Sequence, residues 1–374
     1  MGNLEEHLPA VSPVVEAIYD HYKATGDIED RRGYLGASSI GGECDRALWY
    51  GFRWCGAESF EGRMYRLFET GDREEGRFVA NLRAIGCEVH DVDPATGRQF
   101  GFKAFGGHFG GHMDGCALGV PEAPATWHVA EFKTHNRKSF DKLKVFGVHR
   151  SKPVHYAQMQ VYMHLSGMRR ALYLAVCKDT DELYAERVKY SPADAESLMT
   201  RAERIITATR PPERITDNPD DWRCRFCNHK TLCHGNPPPG PAVPCDVGCR
   251  NCVHATTEMD TNHGRWSCAK HGVTMSHAQQ ATACEDHLFI PDLIAFAEPV
   301  DAGYDPAGDW TEYINPDGTV WWQGKNAAAG HYSSWELAKL PGPLVGAGDV
   351  DLVKATFGGT VVEAGDVMTT SRYE

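Results

Sequence analysis

The sequence lacks the features that would assign it to a membrane or to a secretory pathway. None of its apolar runs approaches the about 20 residues that a transmembrane helix needs. The opening stretch MGNLEEHLPAVSPVVEAIYD has acidic residues where a signal peptide has basic ones, and it contains no cleavage pattern. Its Met-Gly start does not continue as a myristoylation signal, because position 6 is a glutamate. We therefore expect a cytoplasmic protein with no membrane partner.

An excess of positive charge is also missing. The formal net charge is −13, which excludes a passive nucleic-acid coat, since that class needs a broad basic surface. An enzyme that acts on nucleic acid is not excluded, because its basic groove can be local. One basic run fits such a groove, although it also fits a solvated helix face. The run consists of Arg137, Lys138, Lys142, Lys144, Arg150 and Lys152, with His135, His149 and His155 beside it.

The hydrophobic periodicity predicts an α/β core. The 374 residues suffice for two or three domains. We predict a largely helical segment over 1–50, short strands over 100–119 and 126–135, a basic connection, and a hairpin through Asp179 and Asp181. The predicted later helices cover 72–85, 154–166 and 192–208. The order of these elements favours a mixed central sheet flanked by helices.

A proline-rich stretch, GNPPPGPAVP at 235–244, is typical of a stiff linker. Beyond it we expect a turn at NPDG, a strand TVWWQG, a capped helix SSWELAKL and a strand-like GTVVEAG. The expected division is a core domain over 1–236, a linker over 237–244, a cysteine-rich module over 245–290 and a small α+β domain over 291–374. Trp321, Trp322 and Trp335 are expected in the core of that last domain rather than stacking on bases.

Acidic residues on neighbouring predicted elements form the first candidate site. In the strand-like run WHVAEFKTH, Glu131 and Lys133 point to the same face. Antiparallel pairing with the preceding strand brings Asp114 beside Glu131. Two adjacent carboxylates repel each other unless a cation lies between them, and oxygen ligands suit Mg²⁺ or Mn²⁺. The predicted helix at 72–85 supplies a third carboxylate, Glu75. By itself, the Glu131–Lys133 pair also fits an ordinary surface ion pair.

The combined pattern resembles a known family. An aspartate and Glu-x-Lys follow a helix that carries Gly-x-x-x-acid from Gly71, and a helix with Gln158 and Tyr162 comes next. This arrangement is similar to the PD-(D/E)xK nucleases, closest to their RecB-like branch. Two positions differ from that branch: Met113 stands where a proline is common, and Glu75 stands where a histidine is usual. Glu74 is an alternative ligand at that point.

The resemblance implies a restriction-endonuclease-like core and a role for each matching residue. The carboxylates and the carbonyl of one further residue would hold the metal, and Lys133 would position the attacking water. Gln158 and Tyr162 would brace the site or touch DNA; without the resemblance they fit plain helix packing. The implied catalytic residues are Glu75, Asp114, Glu131, Lys133, Gln158 and Tyr162. The implied metal ligands are Glu75, Asp114, Glu131 and the carbonyl of Phe132.

The 13 cysteines supply the second pattern. In a reducing compartment, close cysteine spacing favours metal sites over disulfides. WRCRFCNHKTLCHG contains a C-x2-C-x5-C run of three, and a fourth ligand must lie elsewhere. One cysteine before the nuclease motifs and three after them is the arrangement of the iron–sulfur nucleases in the RecB-like branch. The resemblance therefore implies a 4Fe-4S cluster on Cys44, Cys224, Cys227 and Cys233. Zinc on the same cysteines, with His229 or His234, is the alternative.

The module after the linker contains a third pattern. Two cysteines from each half of the module would form a tetrahedral all-cysteine zinc site. Such a site would replace the hydrophobic core that so short a module cannot build. The expected ligands are Cys249, Cys252, Cys268 and Cys284. Alternatives for one ligand are Cys245, His254, His271 and His287. The spacing of Cys245, Cys249 and Cys252 also matches the radical-SAM motif, but too little chain follows for that barrel.

Together these patterns predict a metal-dependent DNA exonuclease with Mg²⁺ or Mn²⁺, a structural 4Fe-4S cluster and Zn²⁺ as cofactors. We expect single-stranded DNA or duplex ends as the substrate, with the six cations from Arg137 to Lys152 contacting it. The expected setting is phage recombination, replication or repair, in the host cytoplasm and with a protein partner from that process. An endonuclease or flap nuclease on the same core, and a non-catalytic DNA-binding protein, are the alternatives.

Overall fold

The computed structural model describes residues 12–26, 31–56, 60–235, 240–305, 308–326, 328–342, 345–346 and 348. The predicted strand GTVVEAG lies outside these ranges. None of the helices within them combines the length and the apolarity needed to cross a membrane. The helices are α1 Pro13–Gly26, α2 Asp45–Phe52, α3 Gly62–Ala84, α4 Arg137–Ser151, α5 Pro153–Ser166, α6 Pro192–Thr207, α7 Lys230–His234, α8 His277–Ala281 and α9 Ser334–Leu337. The strands are β1 Leu35–Gly36, β2 Glu88–His90, β3 Gly101–Ala104, β4 Phe109–His112, β5 Gly115–Leu118, β6 His128–His135, β7 Arg170–Cys177, β8 Leu183–Lys189, β9 Ala255–Thr257, β10 Trp266–Cys268, β11 Val273–Met275, β12 Glu298–Asp305, β13 Gly308–Ile314, β14 Val320–Gly324 and β15 His331–Tyr332.

The chain divides into two compact units, each built from segments that are distant in sequence. Unit 1 comprises 1–32, 58–102 and 111–199, and unit 2 comprises 33–57, 103–110 and 200–374. Residues of the predicted core domain 1–236 occur in both units. The predicted division into four parts stays a prediction.

Unit 1 is built on a mixed five-stranded sheet with the order β2-β5-β6-β7-β8. β6 and β7 run parallel, and the other neighbouring pairs are antiparallel. The mixed α/β sheet and the β7–β8 hairpin were predicted and are confirmed. One face of the sheet packs against α3 in a buried core that contains Phe78, Phe132 and Leu174. Phe78 stacks on Phe132 with ring centroids 5.2 Å apart, so the site-bearing strand β6 is fixed to α3.

Two predicted helix positions were wrong. α3 begins at Gly62, ten residues before the predicted start, because it passes through Gly71 without interruption. A side-chain Cβ at Gly71 would meet nothing within 4 Å, so no close contact requires a glycine or a break there. The segment 1–50 is less helical than expected, because only α1 and α2 are helical among its described residues. Strand β1, which pairs in parallel with β4, lies between these two helices in the sequence.

The basic connection predicted after β6 is a helix, α4. Asn136 caps it by accepting a hydrogen bond from the backbone N–H of Ser139 at 2.9 Å. Its apolar residues Phe140 and Leu143 are fully buried, so tertiary packing stabilises a helix that the charges alone fitted only as a basic connection or a solvated helix face. The helix is broken at Gly147, which has φ 68° and ψ 175°. α5 follows at once and ends at Gly167 in the left-handed conformation, as predicted.

Unit 2 contains two further small sheets, in which neighbouring strands are antiparallel except for the parallel pair β14 and β15. β9, β10 and β11 form one sheet, and β12 to β15 form another in chain order. The predicted capped helix is present as α9, where Ser333 and Glu336 form a capping box. Trp321 is fully buried and stacks on Tyr313 at 4.6 Å. The prediction of a core position is confirmed for Trp321, whereas Trp322 and Trp335 are only half-buried.

Candidate active site

Strand register brings Asp114 next to Glu131. Asp114 directly precedes β5, whose Gly115 pairs with Ala130 of β6. The backbone N–H of Phe132 donates to Oδ2 of Asp114 at 2.7 Å. Lys133 Nζ lies 2.5 Å from Oε1 of Glu131 and 3.7 Å from Oδ2 of Asp114, and it donates to the carbonyl of Phe132 at 2.9 Å. Two carboxylates, one ammonium and one carbonyl therefore converge at a single point of the sheet.

The Glu131 carboxylate is buried but poorly satisfied. It has no exposed surface, and neither oxygen has a hydrogen-bond partner of normal geometry, although Lys133 lies close to one of them. Burial, reinforced by the charge of Asp114, raises the pKa of Glu131 to about 8 against the opposing charge of Lys133. For Lys133 itself, burial lowers the pKa, but Glu131 and Asp114 outweigh burial and the pKa lies above its usual range. Ionising both carboxyl groups would thus place more negative charge at the site than one lysine neutralises.

A third carboxylate comes from α3. Glu75 lines the same cleft as Lys133. Burial, followed by the charge of Asp114, raises the pKa of Glu75 to about 7. Glu74 instead faces Arg77, whose Nη1 lies 3.5 Å from it. Of the two adjacent glutamates, the structure brings Glu75 to the cleft.

Gln158 and Tyr162 lie one helical turn apart on α5 and are both buried. The hydroxyl of Tyr162 donates to the carbonyl of His112 at 2.7 Å. That carbonyl belongs to β4, two residues before Asp114. Tyr162 therefore ties α5 to the chain that positions the aspartate, which fits a bracing role.

The donor set suits a hard divalent cation. Glu75, Asp114, Glu131 and the Phe132 carbonyl offer oxygen atoms alone, as Mg²⁺ and Mn²⁺ prefer. Oε2 of Glu131 is a buried polar atom without the hydrogen-bond partner that such atoms normally have, and Oε1 has only the close ammonium of Lys133. The residues present fit the cation that the motif implies.

A cleft of about 370 Å³ opens beside these residues. Part of its wall was not predicted as a site. Ser139 lies 3.2 Å from Nδ1 of His135 and accepts a hydrogen bond from Lys152. Nε2 of His135 and Nδ1 of His155 both contact the hydroxyl of Tyr173, at 2.8 and 2.9 Å. The basic run in the sequence had pointed to Lys152, His135 and His155 of this wall, but not to Ser139. The cleft is lined by Gly71, Glu75, Phe78, Phe132, Lys133, Thr134, His135, Ser139, Lys152 and His155.

The six cations predicted to contact DNA separate into two groups. Arg137 pairs with Asp141 at 2.9 Å, and Lys144 pairs with Glu182. Lys152 lines the cleft. Within the described ranges, no ion-pair partner is found for Lys138, Lys142 or Arg150. The basic run is therefore partly neutralised within the protein and partly free to meet an anionic ligand.

The four cysteines assigned to a cluster all belong to unit 2. Cys44 is at the N-cap of α2, and Cys233 is within α7. Burial raises the pKa values of Cys224 and Cys227, and the neighbouring thiols of the group raise both further. The four thiols are therefore close enough to influence one another's ionisation. His234 Nε2 lies 3.9 Å from Cys224 Sγ.

The cysteines assigned to zinc line one small cavity. Its volume is about 10 Å³, close to that of a single ion or water. Burial raises the pKa of Cys249 to about 11 and that of Cys252 to about 12, so these thiols need a cation to ionise near neutral pH. The lining cysteines are Cys249, Cys252, Cys268 and Cys284, and the lining histidines are His254, His271 and His287.

Two neighbours of this cavity bear on the alternatives. Cys245 is not among the lining residues; its sulfur accepts a hydrogen bond from Asn251 at 3.4 Å. His271, Cys284 and Asp286 bring ligand atoms within 4.8 Å of one another. Asp286 was not predicted as a candidate ligand, because it matches no cysteine spacing.

Comparison with known proteins gives only distant similarity. No family model matches the chain, and no curated protein sequence matches it. The crystal structure of SSO0001 is similar at 14% identity and TM-score 0.35, covering 59% of this chain and 96% of that one. The alkaline exonuclease LHK-Exo from Laribacter hongkongensis is similar at 16% identity and TM-score 0.32, and its complex with dAMP at TM-score 0.30. Each of these two covers 50% of this chain and 90% of the other. Scores of this size are too low to transfer a fold or an activity, so any functional assignment depends on the site itself.

Proposed function

We propose that this chain is a Mg²⁺- or Mn²⁺-dependent deoxyribonuclease, and more narrowly an exonuclease that hydrolyses phosphodiester bonds at DNA ends. One observation carries the proposal. Glu131, a fully buried glutamate with one oxygen that has no polar partner, lies with Asp114 and Lys133 at the edge of an open cleft. A purely structural ion pair would not leave this carboxylate unsatisfied beside a second one.

The residues divide the chemistry among themselves. Glu75, Asp114, Glu131 and the Phe132 carbonyl would hold the cation, which would supply Lewis-acid stabilisation of charge on the phosphate oxygens. Lys133 is held protonated by the surrounding carboxylates, so it adds a fixed positive charge and orients the attacking water. The Phe132 N–H holds Asp114 in place, and Tyr162 braces the chain before it.

The test is digestion of end-labelled single- and double-stranded DNA with Mn²⁺, Mg²⁺ or EDTA. Wild-type protein should release nucleotides from an end, and E131Q and K133A should bind DNA but cleave it at least about 100-fold more slowly. Cleavage of circular DNA would favour the endonuclease alternative. Binding without any cleavage by freshly reconstituted wild-type protein would overturn the proposal in favour of a non-catalytic DNA-binding protein.

We further propose that Cys44, Cys224, Cys227 and Cys233 hold a structural 4Fe-4S cluster. Unit 2 contains both Cys44 and the three cysteines of 224–233, which are distant in sequence. This arrangement supports the cluster, because a cluster that joins distant segments contributes directly to folding. Anaerobic purification followed by iron and sulfide analysis tests it. C227S should lose iron, whereas C116S, a buried cysteine in β5 of unit 1, should retain it. Zinc in place of iron in an anaerobic preparation would contradict the cluster.

We also propose a structural zinc on Cys249, Cys252, Cys268 and Cys284, supported by the ion-sized cavity that they line. DNA recombination, replication or repair, in a phage setting, is the process to which we assign the activity. We propose that a protein partner from that process binds to unit 2.

A further inference from the structure

Helix α4 exposes apolar side chains next to the candidate active site. Phe146 is 55% exposed and Val145 is 72% exposed, although both are large hydrophobic residues. The helix carries five lysine or arginine residues and one acidic residue, in a chain whose net charge is −13. An exposed aromatic within a cationic helix suggests contact with a ligand that is both planar and anionic.

The spacing of these residues places them on one stripe. Lys138, Lys142 and Phe146 recur every four residues, so they lie on one face of the helix. Ser139 is three residues before Lys142 and lines the catalytic cleft. Lys142 is also close enough to lower the pKa of Lys152, a second cleft residue, although burial is the larger cause. The stripe therefore runs from the cleft outward to Phe146.

The helix break holds Phe146 in this exposed position. Gly147 follows it with φ 68° and ψ 175°, a conformation that side chains rarely adopt. The next backbone N–H, that of Val148, donates to Oε2 of Glu186 at 2.8 Å. The Tyr184 hydroxyl donates to the same oxygen at 2.6 Å. Phe146 thus ends a helical turn whose backbone is anchored to β8 one residue beyond the glycine, which fixes the position of its Cα next to the stripe.

We propose that Phe146 is a stacking platform for a base of single-stranded DNA, and that Lys138 and Lys142 contact the phosphates between that base and the cleft. Aromatic faces stack on any base, and lysines neutralise backbone charge without reading sequence. The strand that enters the cleft would then be held single-stranded. This inference rests on the proposed nuclease function for the identity of its ligand.

The test measures binding of a 2-aminopurine oligonucleotide, single-stranded or duplex, in EDTA so that no cleavage occurs. F146A should weaken single-strand binding about 5- to 100-fold and abolish the change in 2-aminopurine fluorescence. F146Y should bind within about twofold of wild type, since its ring still stacks. K142A should weaken binding and reduce the salt slope by about 0.7, whereas F146A should leave that slope unchanged.

The matched control is I85A. Ile85 is a similarly exposed apolar residue of unit 1, 63% exposed. It caps the C-terminus of α3, ten residues after Glu75, which corresponds to about 15 Å along the helix axis. Equal single-strand binding by F146A and I85A would overturn the inference. A loss of binding by F146A that is confined to the duplex oligonucleotide would also overturn it. The digestion assay separates the two proposals. If the wild-type protein cleaves DNA and F146A binds and cleaves it equally well, the platform is overturned and the nuclease function stands. If the wild-type protein does not cleave DNA but its binding depends on Phe146, the nuclease function is overturned and the platform stands.

Discussion

Lys133 Nζ lies 2.5 Å from a carboxylate oxygen of Glu131 that has no exposed surface. The same ammonium is 3.7 Å from Asp114, so one cation serves two acids. Burial, followed by the charge of Asp114, also raises the pKa of Glu75 to about 7, because ionising all three carboxyl groups would place more negative charge in this cluster than one lysine balances. A divalent cation is the simplest species that would complete it.

Replacing Glu131 by glutamine should separate activity from stability. E131Q keeps the shape of the side chain but removes a buried group that must ionise to bind a cation, so we expect cleavage to fall by at least about 100-fold while the free energy of unfolding in EDTA stays equal or rises. Urea denaturation alongside the DNA digestion assay measures both. A large loss of stability in E131Q would instead indicate a structural ion pair.

The two adjacent glutamates of α3 provide a matched pair. E75Q removes a carboxylate that lines the cleft. We therefore expect a lower affinity for Mn²⁺, so that more Mn²⁺ is needed for half-maximal cleavage, and at least about tenfold slower cleavage. E74Q removes only a partly exposed partner of Arg77, and its activity should match the wild type. Mn²⁺ titrations of cleavage rate distinguish them. Equal effects of the two substitutions would remove Glu75 from the proposed ligand set.

The metal-free protein should lose stability as pH rises. The pKa of Glu75 is raised to about 7 and that of Glu131 to about 8, in both cases chiefly by burial. The folded state therefore holds protons that the unfolded chain releases, and this contribution is present below about pH 4.5 and lost as pH rises to about 8. Denaturation in EDTA at pH 5 to 8.5 should show a steeper decline for wild type than for E131Q.

Mn²⁺ should act in the opposite direction over the same range. It binds the ionised carboxylates, so the stabilisation that it confers should grow with pH. A pH-independent effect of Mn²⁺ on the wild-type midpoint would contradict binding at these groups.

Substitution at the α4 break should destabilise the protein. G147A places a side chain at φ 68° and ψ 175° and brings its Cβ 3.1 Å from Glu186, so we expect a loss of about 1–3 kcal/mol in the free energy of unfolding. G76A is the control, because Gly76 is inside α3 and a Cβ there would meet nothing within 4 Å. It should be neutral or stabilising by up to about 1 kcal/mol. Thermal or urea unfolding of both variants provides the comparison.

The cysteine-lined cavity of unit 2 should bind one zinc. C252S removes a buried lining residue, and we expect loss of bound zinc and a lower unfolding midpoint, since structural zinc contributes folding free energy. C245S lies outside the cavity and should keep its zinc. Elemental analysis of both variants checks this, and zinc retention by C252S would indicate other ligands.

Patterns that depend on neighbours in sequence were predictable. The two-residue period of a strand placed Glu131 and Lys133 on one face. Gly167 marked the end of α5, and Ser333 with Glu336 marked the start of α9. The mixed sheet followed from the order of the elements. The α4 helix was not predictable in the same way, because buried contacts of Phe140 and Leu143 stabilise it against its charge.

The sequence by itself therefore determined the local set: the strand face, the helix ends, the cysteine spacings and the acidic motif. Only the tertiary structure decided which distant residues meet. It brought Glu75 rather than Glu74 to the cleft, added Ser139 to its wall, and left Phe146 exposed beside the break in α4. The physical reason is that local spacing depends on backbone geometry alone, whereas these outcomes depend on how packed segments orient one another.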